Sequence, residues 1–209
     1  MLTITEMLPF KDAVWLGELD GVDFEKLVSL ADEMKQDQPV GVSVSNRGGW
    51  QSNSFWDHTV DKYKNASEFQ NLITILSGLI REGVNHSYKP SEFFEIEPGN
   101  AWFNFNSKND YNILHNHPGS VFSSVVYLTD DNSPLVLTDV GSSRNTSAAV
   151  TKTANIFQTQ FKYTPKKGDY IIFPSWFLHY VEQNDKDNLR VSLAINFKIH
   201  TGELNDNRE

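Results

Sequence analysis

The spacing of apolar residues divides the chain into a first part with helical periodicity and a second part with the periodicity of strands. From Phe24 to Met34, apolar side chains recur every three or four residues, and Asp23 precedes them as a plausible N-cap. Ser67 to Val84 has the strongest helical period, with Ser67 as a possible cap and Gly83 where the helix would end. These two segments predict amphipathic helices.

Residues 41–65, between the two predicted helices, are rich in Gly, Ser, Asn and Trp and show no clear period. This composition predicts loops, with a short strand near Val42–Val44. The stretch from Trp50 to His58 combines aromatic residues of an exposed type with polar groups. Such a loop could close over the mouth of a barrel, where a substrate would enter.

From about Ser91 onward, short apolar runs alternate with turn signals such as Pro98–Gly99 and Lys167–Gly168. The predicted strands are Phe93–Ile96, Ala101–Phe105, Tyr111–His115, Val121–Leu128, Leu135–Thr138, Ala154–Tyr163, Tyr170–Phe173, His179–Glu182 and Leu189–Phe197. This pattern predicts a mainly β fold with helices (α+β), whose core is a barrel or a two-sheet jelly roll. We expect residues 1–90 to form a helical and loop region that packs on and supports a core of residues 91–209.

Composition and charge narrow the possible functions. The 209-residue chain is 39% apolar and 12% aromatic, which is typical of a globular domain. Its net charge is -9 and it has no long run of Lys or Arg. A surface that binds duplex nucleic acid or anionic membranes needs clustered cations, so we expect neither partner.

The absence of cysteine excludes disulfides, thiolate catalysis and Cys-ligated metal sites. The first residues lack the features of a signal peptide, and no apolar stretch has the length of a membrane span. We therefore expect a cytoplasmic location.

Three of the six histidines have a spacing that suits metal binding. In an extended segment, His115 and His117 lie on the same face, and His179 follows a buried apolar run as the natural third ligand. Three imidazoles can hold a divalent transition metal. The same residues are also compatible with two histidines on a half-exposed strand and a hydrogen-bonded histidine in the core.

Arg190 and Ser192 share one face of the last predicted strand. A guanidinium inside a barrel needs a carboxylate partner, and a fork of donors beside a hydroxyl suits the far carboxylate of a dicarboxylic acid. The alternative for Arg190 is a surface ion pair with a nearby acidic residue.

Two segments, HNHPGSVFSSVVYL and PKKGDYIIFPSWFLHYVEQN followed by LRVSLAINF, resemble a known family. They are similar to the iron(II)- and 2-oxoglutarate-dependent oxygenases, and more narrowly to members with an H-x-H-P-G-S segment and an F-P-S-W-x-x-H segment. The resemblance covers roughly residues 98 to 198. It implies a double-stranded β-helix core with iron(II), 2-oxoglutarate and O2 as cofactor and co-substrates.

The resemblance also implies roles for individual residues. His115 and His179 would bind iron(II), Arg190 would pair with the C5 carboxylate of 2-oxoglutarate, and Ser192 would hydrogen-bond to it. The family's usual facial triad has a carboxylate where this chain has His117, and we expect His117 to take its place as a ligand. Asp139 is a possible substitute carboxylate. The implied reaction is hydroxylation of an unidentified substrate, a small molecule or a protein side chain, with release of succinate and CO2.

Other positions are weaker candidates. Tyr127 and Asn104 are predicted to contact 2-oxoglutarate, and Asn104 and Asn106 alternate with aromatic residues, so either set could line the cavity. Trp102 and Trp176 are expected in the core. His58, His86 and His200 are expected to have no role in the site.

Alternative functions also fit the motifs. One is a three-histidine, cupin-type metalloenzyme that does not use 2-oxoglutarate, and another is a non-catalytic jelly-roll binding module. A third is a degenerate oxygenase fold that now serves in binding or assembly. Neither the substrate nor the oligomeric state can be read from these residues.

Overall fold

The computed structural model of the protein describes residues 12–56, 61–130, 133–138 and 160–201. Three helices are α1 (Phe24–Asp37), α2 (Asp61–Lys64) and α3 (Ser67–Ser87). The strands are β1 (Trp15–Glu18), β2 (Asn46–Arg47), β3 (Trp50–Gln51), β4 (Phe94–Asn106), β5 (Tyr111–His115), β6 (Phe122–Tyr127), β7 (Leu135–Thr138), β8 (Gln160–Tyr163), β9 (Asp169–Pro174), β10 (Leu178–Val181) and β11 (Arg190–Thr201). No described helix combines the length and apolar composition that a membrane span requires.

The strands form two antiparallel sheets. One has the order β1-β9-β6-β11-β4-β3 and the other the order β2-β5-β10-β7-β8. From β4 to β7, and again from β9 to β11, successive strands alternate between the two sheets. This arrangement confirms the predicted jelly-roll core.

The helices and the six-stranded sheet share one hydrophobic core. Its fully buried members include Leu27 of α1, Leu72 and Leu76 of α3, and Phe103 of β4. Burial of each such side chain contributes about 1.5–3 kcal/mol. Because Phe103 and Phe105 point to this core, the asparagines that alternate with them point to the opposite face of β4, toward the space between the sheets.

The helix ends agree with the sequence in part. Asp23 caps α1 as predicted, since its Oδ1 accepts a hydrogen bond from the Lys26 N–H at 3.1 Å. The prediction for Ser67 is wrong, because the N-cap of α3 is Ala66, which makes no side-chain hydrogen bond. Gly83 does not end α3 either. A Cβ at Gly83 would come within 2.5 Å of the Trp15 ring, so the glycine allows β1 to approach the helix.

Two strand predictions are wrong in detail. No strand forms at Val42–Val44, and the short strands β2 and β3 follow that segment instead. Phe93–Ile96 and Ala101–Phe105 belong to a single strand, β4, because Pro98–Gly99 makes a bulge rather than a turn. Pairing with β11 shows the extra residue: Ile195 lies opposite Ala101, whereas Phe197 lies opposite Pro98.

Some predicted features lie outside the described residues. They are Asp139, His58 and the first part of the strand predicted at Ala154–Tyr163, whose last part is β8.

Candidate metal centre and co-substrate cavity

Strand pairing between β5 and β10 brings the three candidate histidines together. His115 and His179 lie opposite each other in the register, and His117 follows two residues after His115. The backbone N–H of His117 donates to the Ser175 carbonyl at 2.9 Å, which holds this segment against the end of β9. The ligand-capable nitrogens of all three histidines lie within 4.8 Å of one another.

The hydrogen bonds of two histidines leave their Nε2 atoms free for a metal. Nδ1 of His115 lies 2.7 Å from the Ile113 carbonyl oxygen, and Nδ1 of His179 lies 3.0 Å from the Phe177 carbonyl oxygen. A carbonyl only accepts, so each Nδ1 carries the proton and each Nε2 keeps its lone pair. Metal-bound histidines in proteins are typically oriented in this way.

Burial keeps the three imidazoles neutral at pH 7. Burial, with a smaller contribution from the neighbouring His115, lowers the pKa of His117 to about 4. Burial also lowers the pKa of His115 and takes that of His179 well below the ordinary value. Neutral imidazole is the form that binds a metal ion.

The donor set fits a divalent transition metal. Nε2 of His117 lies 3.2 Å from Nε2 of His179. Two nitrogens bound at about 2.1 Å from one ion and at right angles to each other are about 3 Å apart. Within the described residues, no carboxylate joins the three histidines.

Arg190 lies deep in the same cavity, with only 2% of its surface exposed. Its Nη1 donates to Asn106 Oδ1 at 2.9 Å and to Ser192 Oγ at 3.1 Å, and its guanidinium lies over the Tyr127 ring. Among the described residues, no carboxylate pairs with it. A buried cation without a counter-ion is costly, so this position calls for an anion.

Three polar atoms near Arg190 have no hydrogen-bond partner in the described structure: Arg190 Nε, the Tyr127 hydroxyl and Asn104 Oδ1. Burial raises the pKa of Tyr127 to about 12, so its hydroxyl stays protonated and can donate. Asn104 lies opposite Ser192 in the strand register and lines the cavity beside it. The donors of Arg190, Ser192 and Tyr127 thus fit a carboxylate.

The cavity between the sheets, which we call the inner cavity, has a volume of about 40 Å³ and is lined by the three histidines as well as Arg190 and Ser192. Asn104 lines this cavity and Asn106 contacts Arg190 beside it, whereas Phe103 and Phe105 pack in the hydrophobic core. The metal-binding and anion-binding groups therefore share one space.

A chain of buried side chains connects Arg190 to the segment before β2. Asn106 accepts from Arg190 and donates through Nδ2 to Asn112 Oδ1 at 3.3 Å, and Asn112 Nδ2 donates to Ser45 Oγ at 3.0 Å. Sequence reasoning missed Asn112 and Ser45. Asn112 and His115 are three residues apart, so a regular strand would place them on opposite faces, but an irregularity in the β5–β10 pairing turns both toward the cavity.

A wider pocket, the outer pocket, opens beside His115 and His117 and has a volume of about 550 Å³. Its lining residues are Val42, Val44, Ser45, Gln51, Ser52, Asn53, Ser54, Asn100, Trp102, Ile113, His115, Asn116, His117, Pro118 and Asn196. Residues of the predicted Trp50–His58 loop therefore contribute to the mouth of the site. Ser45, Trp102 and the two histidines line both cavities, so the outer pocket leads to the metal centre.

The tryptophans differ from their predicted places. Trp50 is buried and packs against Phe105, although an exposed type was expected. Trp102, expected in the core, lines the outer pocket with its ring 5.3 Å from that of His117. Trp176 is 44% exposed rather than buried. His86 and His200 do not line either of the two cavities.

Comparison with known proteins identifies the family. Residues 100–196 match the family model described as "Putative 2OG-Fe(II) oxygenase", a range that contains all three histidines, Arg190 and Ser192. No curated protein matches the chain.

Two solved structures have a similar fold, and a third aligns with a lower score. The carbocyclase SnoK from nogalamycin biosynthesis, described as non-heme and alpha-ketoglutarate-dependent, has a TM-score of 0.63 and 9% identity over 89% of this chain and 79% of its own. A prolyl hydroxylase from Trichoplax adhaerens, in complex with a peptide fragment of hypoxia inducible factor, has a TM-score of 0.59 and 13% identity over 88% of this chain and 83% of its own. An oxidoreductase of the 2OG-Fe(II) oxygenase family from Burkholderia pseudomallei has a TM-score of 0.46 and 18% identity. The match covers 66% of this chain and 59% of the length of that protein.

The jelly-roll core and the family match lead to the same assignment. Residues 100–196 belong to the iron(II)- and 2-oxoglutarate-dependent oxygenase superfamily, whose members use iron(II), 2-oxoglutarate and O2.

Proposed function

We propose that this chain is a hydroxylase in which His115, His117 and His179 hold iron(II) and Arg190 with Ser192 binds the far carboxylate of 2-oxoglutarate. One observation carries the proposal: a single cavity contains three converging imidazoles and a buried guanidinium that has no carboxylate partner among the described residues. A dicarboxylate that reaches from the metal to Arg190 would satisfy both ends of this cavity.

Other residues of the cavity would complete the co-substrate site. Tyr127 would donate its hydroxyl proton to the carboxylate that Arg190 binds, because its oxygen is buried without a partner. Asn104 would contact the co-substrate from the neighbouring strand, opposite Ser192. These contacts would hold the dianion in one orientation and keep water from the interior.

Iron(II) with 2-oxoglutarate and O2 supplies the oxidation of a substrate C–H bond, with release of succinate and CO2. The protein contributes neutral ligands and a dry cavity. Because His117 stands in place of the usual carboxylate, no described residue gives the metal site a negative charge. The bound co-substrate would therefore supply the negative charge that offsets the ion.

The substrate would enter through the outer pocket and present its reacting carbon near His115 and His117. It would be a small molecule or a protein side chain, and the net charge of -9 makes duplex nucleic acid an unsuitable partner. Hydroxylation adds one oxygen atom to the substrate, whereas cyclisation removes two hydrogens. The product mass therefore distinguishes the proposed reaction from the one named for the similar carbocyclase.

Anaerobic titration of the iron(II)-loaded protein with 2-oxoglutarate tests the site. We expect a saturable visible charge-transfer band from chelation of the metal by the co-substrate. His179→Ala should abolish the band, and His86→Ala should leave it unchanged, because His86 lies outside the cavities. Iron binding without the band would favour a three-histidine enzyme that does not use 2-oxoglutarate, and no iron binding would contradict the proposal.

The anion site has its own test. Arg190→Ala should raise the Kd of 2-oxoglutarate, but Arg190 is buried and its loss could disturb folding. Asn106→Asp keeps the side-chain shape and places a carboxylate within hydrogen-bond distance of Arg190. This carboxylate should compete with the co-substrate and raise its Kd at least tenfold. Asn109→Asp adds the same charge at an exposed position nearby and should leave the Kd unchanged.

A further inference from the structure

The outer pocket has a lining without formal charge. Its lining residues carry amides, hydroxyls, imidazoles and apolar groups, and no Asp, Glu, Lys or Arg of the described chain is among them. Its volume of about 550 Å³ suits a small molecule. An ionised group placed in this pocket would lose hydration and find no side-chain counter-ion. Iron(II) together with the 2-oxoglutarate dianion would add no net charge beside the pocket, so charged substrates are disfavoured.

One amide in the pocket wall lacks a partner. Gln51 is 7% exposed, and its Oε1 is buried without a hydrogen bond in the described structure. The backbone of Gln51 is held in place, because β3 pairs with β4 and the Gln51 carbonyl accepts from the Val42 N–H at 2.8 Å. A buried acceptor without a donor costs about 1–3 kcal/mol, so a ligand hydroxyl or N–H that reached it would be favoured.

Other amides stand around the same space. A hydrogen bond holds the side chain of Asn196 in place, since its Oδ1 accepts from Ser123 Oγ at 2.8 Å. Asn116, in the segment between the two histidines, and Asn100, next to the β4 bulge, also line the pocket. The pocket therefore offers hydrogen-bonding groups in several directions, which suits a ligand with several hydroxyls.

Part of the remaining lining is apolar: Val42, Val44, Trp102, Ile113 and Pro118. Trp102 lines the pocket with its ring 5.3 Å from that of His117, and Val44 is 65% exposed on the segment before β2. A saturated ring with hydroxyls at its edge has an apolar C–H face that can pack on an indole while its edge meets the amides. Such a ring would lie beside the metal centre with its C–H bonds toward the histidines.

We infer that the outer pocket binds an uncharged, polyhydroxylated ring of the sugar type, recognised by Gln51 and the surrounding amides and packed on Trp102. This inference rests on the proposed function, because it assigns the substrate class of the same site. The selectivity has a physical source: a site built to hydrogen-bond a hydroxyl strongly rejects ligands that lack it, since its buried groups are then left unpaired.

Three pyranose probes of similar size test the inference: methyl β-glucoside is neutral, glucosamine is a cation and glucuronate is an anion. Each is titrated into the full-length iron(II) protein with 2-oxoglutarate under anaerobic conditions. Binding is followed by the fluorescence of Trp102, isolated by comparison with Trp102→Phe. We expect saturable binding of the neutral glycoside and at least tenfold weaker binding of both charged probes.

Variants separate recognition from folding. Gln51→Leu should weaken binding of the glycoside at least tenfold, and Gln36→Leu, at an exposed position of α1, should leave it unchanged. Asn116→Ala, on the exposed wall, should weaken binding without a risk to folding. Binding of a charged probe as tight as that of the glycoside, or no binding by the glycoside, would overturn the inference.

The charge-transfer band measured in the same samples keeps the two proposals apart. A band without glycoside binding would leave the oxygenase site intact and overturn only the substrate class. Glycoside binding without a band would support the pocket and contradict the use of 2-oxoglutarate.

Discussion

At the scale of single residues, the metal centre is unusual at position 117. Its ring nitrogen lies 3.2 Å from that of His179, close enough for both to contact one ion. His117→Asp would restore the set of two histidines and one carboxylate. We expect iron(II) affinity to be retained or raised in this variant and to fall at least tenfold in His117→Ala, measured by anaerobic metal titration. Equal affinities in the wild type and both variants would show that His117 is not a ligand.

The titration of His117 predicts how the metal-free protein responds to acid. Burial lowers its pKa from 6.5 to about 4 in the folded state, so the unfolded chain takes up the proton at a higher pH. The stability that depends on neutral His117 is fully present above pH 6.5 and is lost as the pH falls toward 4. At about 1.4 kcal/mol per pKa unit, the free energy of unfolding should fall by up to about 3 kcal/mol across this window.

Urea unfolding in the presence of EDTA at pH 7 and pH 4 measures this loss. His117→Gln removes the titrating group, so its stability should fall less between the two pH values than that of the wild type. An identical fall in both proteins would contradict the buried, neutral state of His117.

The residues that carry the site differ in how well a sequence reveals them. His115 with His117 and Arg190 with Ser192 are two apart on extended segments, so simple alternation places each pair on one face. Asn112 reaches the cavity only because the pairing of β5 with β10 is irregular. Gln51 Oε1 lacks a hydrogen-bond partner because of the residues that surround it in space. Neither condition can be read from spacing along the chain.

At the scale of elements, α3 shows both the value and the limit of periodicity. The apolar repeat predicts the helix, but Gly83, which the sequence predicts as its end, lies inside it. The reason is tertiary: the Trp15 ring of β1 occupies the space that a side chain at Gly83 would need. The same holds for β4, where Pro98–Gly99 was predicted to be a turn and forms a bulge because β11 pairs on both sides of it.

Two glycines of α3 give a matched pair of substitutions. Gly83→Ala would bring a Cβ within 2.5 Å of the Trp15 ring, so it should destabilise the protein by about 1–3 kcal/mol. At Gly78 a Cβ meets no atom within 4 Å, so Gly78→Ala should stabilise the helix by about 0.5–1 kcal/mol. Chemical denaturation measures both changes. Equal effects at the two positions would contradict the close packing of β1 on α3.

At the scale of the whole molecule, the helices and the six-stranded sheet share one hydrophobic core. Sequence periodicity located most strands, but it could not assign them to two sheets, because antiparallel order depends on contacts between distant residues. It also could not show that Leu27 and Leu72 of the helices share a core with Phe103 and Leu193 of the sheet. This shared core favours the interpretation of residues 1–90 as support.

Expression of residues 91–209 alone tests that interpretation. Removal of the helices together with β1, β2 and β3 would expose Phe103, Phe105 and Leu193 to water, so we expect this fragment to lack the dispersed amide NMR spectrum of a folded protein. The full-length chain should unfold in a single transition by calorimetry. A well-dispersed spectrum from the fragment would show that the jelly roll folds independently.

The buried chain from Arg190 through Asn106 and Asn112 to Ser45 joins the proposed co-substrate site to the rim of the outer pocket. Two sites joined by one set of hydrogen bonds can influence each other, and any such coupling free energy is reciprocal. If 2-oxoglutarate fixes the position of Ser45 and thereby raises the affinity for substrate, the bound substrate must raise the affinity for 2-oxoglutarate by the same factor. The enzyme would then hold 2-oxoglutarate most tightly when a target is present, which would limit wasteful turnover in the target's absence.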